Sequence, residues 1–200
     1  MNLPNKLTVI RMILAPIFLL LMTLSFEWHW FCALVVFVVA SITDLLDGQI
    51  ARKRGIVTNF GKFLDPIADK ILTTSAFLGI MATDLECYKG VAWITFIVLI
   101  REFTVASLRM LCASEGTVVA ADMWGKVKTV FQMIAIIMVL AFEWFKADVF
   151  PLFSFLDGLT WINTVMDVTA NVFLWLSALL TIISGINYLV VNRKVIDYRK

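Results

Sequence analysis

Asp44-Leu45-Leu46-Asp47-Gly48-Gln49-Ile50-Ala51-Arg52, then eight residues, then Gly61-Lys62-Phe63-Leu64-Asp65-Pro66-Ile67-Ala68-Asp69 is the stretch on which the fold turns. Asp44 and Asp47 close one apolar run, and Asp65 and Asp69 open the next. An ionised carboxylate at membrane depth costs about 3 kcal/mol, so it persists only with a partner and usually marks function. The stretch gathers four of them and offers little positive charge to neutralise them, which points to bound cations.

The rest of the chain supplies the membrane. Of its 200 residues 61% are hydrophobic and 16% charged, and the mean hydropathy is +0.91. That apolar share excludes an ordinary soluble domain. The net charge of +2 excludes nothing, because the charges fall in clusters between long apolar runs. Cys32, Cys87 and Cys112 are scattered, with no C-x-x-C pair, and suggest neither a disulfide framework nor a zinc site. Lys6 and Arg11 before the apolar run Met12–Leu24 resemble a signal peptide, but no small-residue cleavage site follows, so the run reads as a retained first span.

The chain is therefore expected to be one all-α integral membrane domain over residues 1–200, with six transmembrane helices. The spans fall at about 7–25, 30–52, 61–83, 90–113, 121–145 and 163–191. Connections are short except about 146–162, where Phe150, Pro151, Phe153, Phe155 and Trp161 suggest an interfacial loop. Lys6, Arg11, Arg52, Lys53, Arg54, Lys62, Arg109, Lys126, Lys128, Arg193, Lys194, Arg199 and Lys200 fall on one side, and Lys89 and Lys146 on the other. The positive-inside rule then makes both termini cytoplasmic and sets the aspartates at the cytoplasmic ends of the second and third spans. Trp28, Trp30, Trp144 and Trp161 fall near the outer boundary, and His29, the only histidine, lies among them, which leaves no histidine to act as a base.

Asp44 and Asp47 are three apart on a helix and share a face; Asp65 and Asp69 are four apart and share one too. Two neighbouring helices can aim all four carboxylates at one point. All-oxygen ligation suits Mg²⁺ or Mn²⁺ rather than Zn²⁺, and four carboxylates are enough for two ions. Gly48 and Ala51 continue the face of Asp44 and Asp47 with almost no side chain, so a ligand can approach closely. Gly61 clears the facing helix, and Arg52 offers a planar fork to a diphosphate.

The string Asp44-x-x-Asp47-Gly48-x-x-Ala51-Arg52, eight residues, Gly61-x-x-x-Asp65-x-x-x-Asp69 resembles, without departure, the signature of the CDP-alcohol phosphotransferases. The resemblance implies six transmembrane helices, two divalent metals, and displacement of CMP from a CDP-alcohol by the hydroxyl of a second alcohol. It implies that Asp44, Asp47 and Asp65 are metal ligands, with Asp69 a ligand or the general base. It also suggests a homodimer, although no surface can be assigned from sequence, and it gives nucleic acid no role. Asp69 is the best candidate base, being last in the motif and one turn from Asp65.

Asn2-Leu3-Pro4-Asn5-Lys6-Leu7-Thr8-Val9-Ile10-Arg11, Phe63–Lys70, Ile100-Arg101-Glu102, Ser107-Leu108-Arg109 and Trp124–Thr129 are similar to stretches of the bacterial phosphatidylglycerophosphate synthases within that family. Over about residues 2–135 this implies CDP-diacylglycerol and sn-glycerol 3-phosphate as substrates, in a bacterial cytoplasmic membrane. Arg101, Arg109 and Lys126 are the candidate ligands of the acceptor phosphate; Lys126 and Lys128, two apart, cannot share a face well. An internal ion pair with Glu102 is the competing reading of Arg101, and Arg11 is expected to be a topology anchor. A cardiolipin-forming or an inositol-phosphate-using member of the family is the nearest alternative. A cation transporter is the rival class; it would spread acids across the membrane depth, and Glu102 and Asp167 are the residues that could do so. If Gly48 lines the nucleotide cavity, Gly48→Leu blocks binding of CDP-diacylglycerol while the protein stays folded; normal donor binding in that variant would make Gly48 a helix-packing residue.

Overall fold

The computed structural model describes residues 3–54, 59–83, 85–114, 123–153 and 160–193. Side chains are described within these segments except at 3–4, 45–54, 59–63, 65–66, 69, 113–114 and 160. The described chain is helical, with no strand: α1 (Leu3–Thr23), α2 (His29–Arg54), α3 (Asn59–Ala82), α4 (Val91–Ser114), α5 (Met123–Trp144) and α6 (Thr160–Val191). These match the expected spans to within a few residues. The expected interfacial loop differs at its start. There α5 runs on into a turn of π-helix, Phe145–Val149, and one of 3₁₀-helix, Phe150–Leu152. The rest of that stretch, 154–159, lies outside the described residues.

The residue distribution is that of a protein dissolved in lipid. Large apolar side chains face outward, as at Ile10, Ile13, Ile17 and Leu20 on α1, Trp93, Phe96, Ile100 and Phe103 on α4, and Val168, Val172, Trp175 and Leu179 on α6. Polar groups face inward: Thr8, Arg11, Ser75, Thr95, Lys128, Gln132, Ser177, Thr181 and Ser184 are buried. In hydrocarbon a polar group must be satisfied within the protein, and hydroxyls do so by bonding back to their own helix. Thr95 donates to the Val91 carbonyl (2.8 Å), Thr181 to that of Ser177 (2.7 Å), and Gln132 Nε2 crosses from α5 to Thr181 Oγ1 on α6 (3.0 Å). Buried alanines (Ala15, Ala33, Ala40, Ala76, Ala135, Ala170, Ala178) let the helices approach closely. Four helical segments, Asn5–Thr23, Val91–Cys112, Met123–Leu152 and Trp161–Val191, are long and apolar enough to cross a membrane. Among the described side chains, α2 and α3 carry the shorter apolar stretches His29–Asp44 and Lys70–Ala82. The chain is a multi-pass membrane protein.

α1 packs on α2 and α3, α5 on α6 and α2, and α4 on α6 and α3. The main core joins Phe18 and Phe37 (ring centroids 5.6 Å apart) with Phe77, Ile94 and Ile136; a smaller cluster of Val105, Leu108, Cys112 and Tyr188 closes the other end of α4 on α6. Two turns at the end of the bundle away from the motif are tightly determined. Trp28 has φ of 68°, and its N–H donates to Asp148 Oδ1 (3.2 Å), tying the α1–α2 turn to the π-turn. Gly90, φ 80°, immediately precedes α4 and lies against the Trp175 indole. A Cβ there would sit 2.7 Å from Trp175 Cζ2. Gly90→Ala is therefore expected to destabilise the protein by more than about 1 kcal/mol, read as a lowered unfolding midpoint in detergent. Trp175→Ala in the same background should recover only the part due to the clash.

Candidate functional site

Asp44, Asp47, Gly48, Ala51 and Arg52 lie on the last three turns of α2, and Gly61, Asp65 and Asp69 on the first three of α3. Of these, only Asp44 falls among the described side chains. The side chains of Asp47, Gly48, Ala51, Arg52, Gly61, Asp65 and Asp69 lie outside the described residues. The Asp44 carboxylate is 2.5 Å from Arg11 Nη1 and keeps 36% of its surface, whereas Arg11 keeps 1%.

That corrects the expectation for Arg11. It is not an anchor reaching for the membrane surface but a buried cation inside the bundle, paired with the first aspartate of the motif. The pair gives Asp44 one cationic partner, which arrives from α1 rather than from the motif. Asn5, Thr8 and Arg11 are all buried and recur every three residues, so α1 turns a polar face inward at this end. That spacing was visible in the sequence and was the available signal.

A second charged group lies at the same end. Glu102 on α4 receives Lys70 from α3, Lys128 from α5 and its own neighbour Arg101, whose Nη1 is 3.3 Å away. Arg101 Nη2 also donates to Ser184 Oγ on α6 (2.7 Å). The Arg101–Glu102 pair read as a competing possibility is thus present, inside a larger group. Lys126 and Lys128 point apart, as their spacing requires: Lys128 is buried in this group and Lys126 is exposed. Arg109 is exposed as well. Sequence reading gave Lys70 no role and preferred Lys126 to Lys128. Their signal was position, since Lys70 directly follows Asp69 and Lys128 begins the buried face continued by Gln132 and Ala135.

The acids at the far end have a different character. Lys146, in the π-turn, donates to both Glu143 and Asp167 (2.7 Å to the latter), and Tyr88 Oη donates to Glu143 (2.6 Å). Cys87, Glu143 and Asp167 place potential metal-ligating atoms within 4.8 Å of one another, but the Lys146 ammonium bonds both carboxylates and is the cation of that group. In the adjoining turn, burial and the nearby Glu143 push the Cys87 thiol above its ordinary range and the Tyr88 phenol far above its own. Cys87 is therefore a poor nucleophile.

The matching family model, CDP-alcohol phosphatidyltransferase, spans residues 1–183. A Bacillus subtilis protein named CDP-diacylglycerol–glycerol-3-phosphate 3-phosphatidyltransferase is 37% identical over 200 residues, covering 94% of this chain and 93% of the relative. A Haemophilus influenzae protein of the same name is 36% identical, with 96% and 94% covered. A Mycobacterium tuberculosis protein named probable phosphatidylglycerophosphate synthase is 36% identical, with 94% and 79% covered. The chain belongs to the CDP-alcohol phosphatidyltransferase family. The likeness extends well past residue 135, into the last helix, beyond the stretch in which sequence motifs were legible.

Removing Arg11 takes a buried cationic partner from Asp44. Breaking a fully buried pair costs about 3–5 kcal/mol, and the solvent access of Asp44 reduces this to about 2 kcal/mol. Arg11→Met should lower the unfolding midpoint in detergent accordingly, with Arg11→Lys recovering part of it. An unchanged midpoint would return Arg11 to the role of a membrane-surface anchor.

Proposed function

We infer that this protein transfers the phosphatidyl group of CDP-diacylglycerol to sn-glycerol 3-phosphate, releasing phosphatidylglycerol phosphate and CMP. The observation that carries the reading is the unbroken eight-residue motif, Asp44 to Asp69, in a chain whose near-full-length relatives bear that activity in their names. A cardiolipin-forming activity and a transporter have no comparable support.

The donor set is four carboxylates, a hard-oxygen set that fits Mg²⁺ or Mn²⁺, and the partly exposed carboxylate of Asp44 is open to such an ion. Asp44, Asp47, Asp65 and Asp69 would hold two ions, which when bound neutralise the diphosphate and the charge developing on CMP. The remaining work belongs to the chain. Gly48, Ala51 and Gly61 leave room for the nucleotide, and Arg52 binds its diphosphate. Asp69 takes the proton of the acceptor hydroxyl. The hydroxyl oxygen bonds to the phosphatidyl phosphorus, the bond from that phosphorus to the CMP oxygen breaks, and CMP leaves with the electron pair. The basic residues Arg101, Arg109 and Lys126, proposed from sequence, are joined here by the partly exposed Lys70 and the buried Lys128 as ligands of the acceptor phosphate. A phosphate held by several cations is strongly selected, since a neutral acceptor would leave their charge uncompensated.

The distribution of lysine and arginine supports six spans, cytoplasmic termini and a site at the cytoplasmic face, where the lipid tails of the donor stay in the bilayer while its headgroup enters the bundle. A homodimer belongs to the same reading. Purified protein given CDP-diacylglycerol should release CMP with glycerol 3-phosphate and poorly with glycerol or serine. Chelator should abolish the release and Mg²⁺ or Mn²⁺ restore it. Asp69→Asn should lower the rate by about 10²–10⁴ with donor binding retained. Turnover in excess chelator, or preference for phosphatidylglycerol or inositol phosphate, would overturn the corresponding part of the reading.

A further inference from the structure

Glu102 is chemically out of place. It is an acid on the bundle interior, at the end where an anionic acceptor is to bind, and its charge repels a phosphate. A carboxylate in that position is useful only through what it holds. It holds Lys70 from α3, Arg101 from α4 and Lys128 from α5 at one point, and its side chain keeps 13% of its surface. Lysine and arginine side chains are rotamer-rich, and a ligand that must order them loses affinity in doing so. Three cations already converged on one carboxylate have lost that freedom before the ligand arrives.

The surroundings are shaped for the same end. Gly185 on α6 lies flat against Arg101: a Cβ there would be 3.1 Å from Arg101 Cγ. Gly125 on α5 faces the guanidinium at ordinary contact distance, where a Cβ would be 3.5 Å from Nη2, and Ser184 Oγ accepts from that same nitrogen. Arg101 is thus fixed by α4, α5 and α6 together. Lys70 adjoins Asp69 on α3, so the cluster is covalently one residue from the proposed base.

We propose that Glu102 is a positioning residue for the acceptor phosphate: it presets the spacing of Lys70, Arg101 and Lys128 so that a phosphomonoester meets three ordered cations. The proposal rests on the reading that glycerol 3-phosphate is the acceptor, and it assigns Glu102 no contact with the reacting atoms.

The test is steady-state kinetics with each substrate varied separately, together with the thermal shift produced by titrating glycerol 3-phosphate into the purified protein. Glu102→Gln keeps the size and one acceptor oxygen but removes the charge that gathers the cations. It should raise KM for glycerol 3-phosphate about tenfold, the equivalent of one charge-assisted hydrogen bond, and weaken the thermal shift in parallel. KM for CDP-diacylglycerol and kcat should change less than about twofold. Glu102→Asp should lie between. Ser184→Ala, a milder change that frees one side of Arg101, should raise only the acceptor KM and covers the case in which Glu102→Gln does not fold. An acceptor KM that is unchanged or lowered in the folded variants overturns the positioning role. So does an equal loss for both substrates, which marks Glu102 as a helix tie. No turnover of glycerol 3-phosphate by the unmodified protein would instead overturn the functional reading beneath it.

Discussion

A cation enclosed by membrane-spanning helices needs a partner within reach, and that requirement organises this bundle. Arg11, Arg101 and Lys128 are each nearly covered, and their partners determine which helices meet. Asp44 draws α1 against α2, and Glu102 gathers α3, α4 and α5, with Arg101 carrying the connection on to α6 through Ser184. Replacing such groups with apolar side chains of similar volume is often neutral or stabilising. Their presence is therefore poorly explained by stability, and it coincides with the end of the molecule that carries the motif.

The same distribution separates an enzyme from a transporter. Between the two charged ends, the described interior is built from alanine, phenylalanine and aliphatic residues, with hydroxyls bonded back to their own helices. Asp167, which could have formed part of a path of acids, is committed to Lys146 together with Glu143. Glu102 is enclosed by cations at the motif end. The buried or half-buried acids Asp44, Glu102, Glu143 and Asp167 are thus each bonded to a cation, in separate groups, rather than lined up as a ladder of carboxylates among the described residues.

Much of this was legible in the sequence. Helix positions followed from apolar runs of about 17–25 residues, a one-dimensional quantity set by bilayer thickness. The motif was legible because its spacing is local, within two helices. Arg11 was misread because a basic residue near a terminus has the same appearance whether it faces lipid headgroups or the interior; only the packing of α1 on α2 decides. Lys126 and Lys128 posed the same problem in finer form. Their two-residue spacing showed that they diverge but not which of them turns inward, since that depends on how α5 is rotated against α6. The convergence of Lys70, Arg101 and Lys128 on Glu102 joins three helices, and no local pattern encodes it.

The π-turn at Phe145–Val149 has a consequence for how this chain can change length. A π-turn takes up one residue more than an α-turn, so an extra residue is accommodated at the end of α5 away from the motif. Because its hydrogen bonds close i→i+5 rather than i→i+4, the turn absorbs that residue and keeps the helical phase of the segments on either side. Within the turn Asp148 accepts from the Trp28 N–H, and Lys146 sits between Glu143 and Asp167. A change of length by one residue can thus be taken up at the far end of α5 by a switch of helix type, while the motif at the opposite end keeps its register.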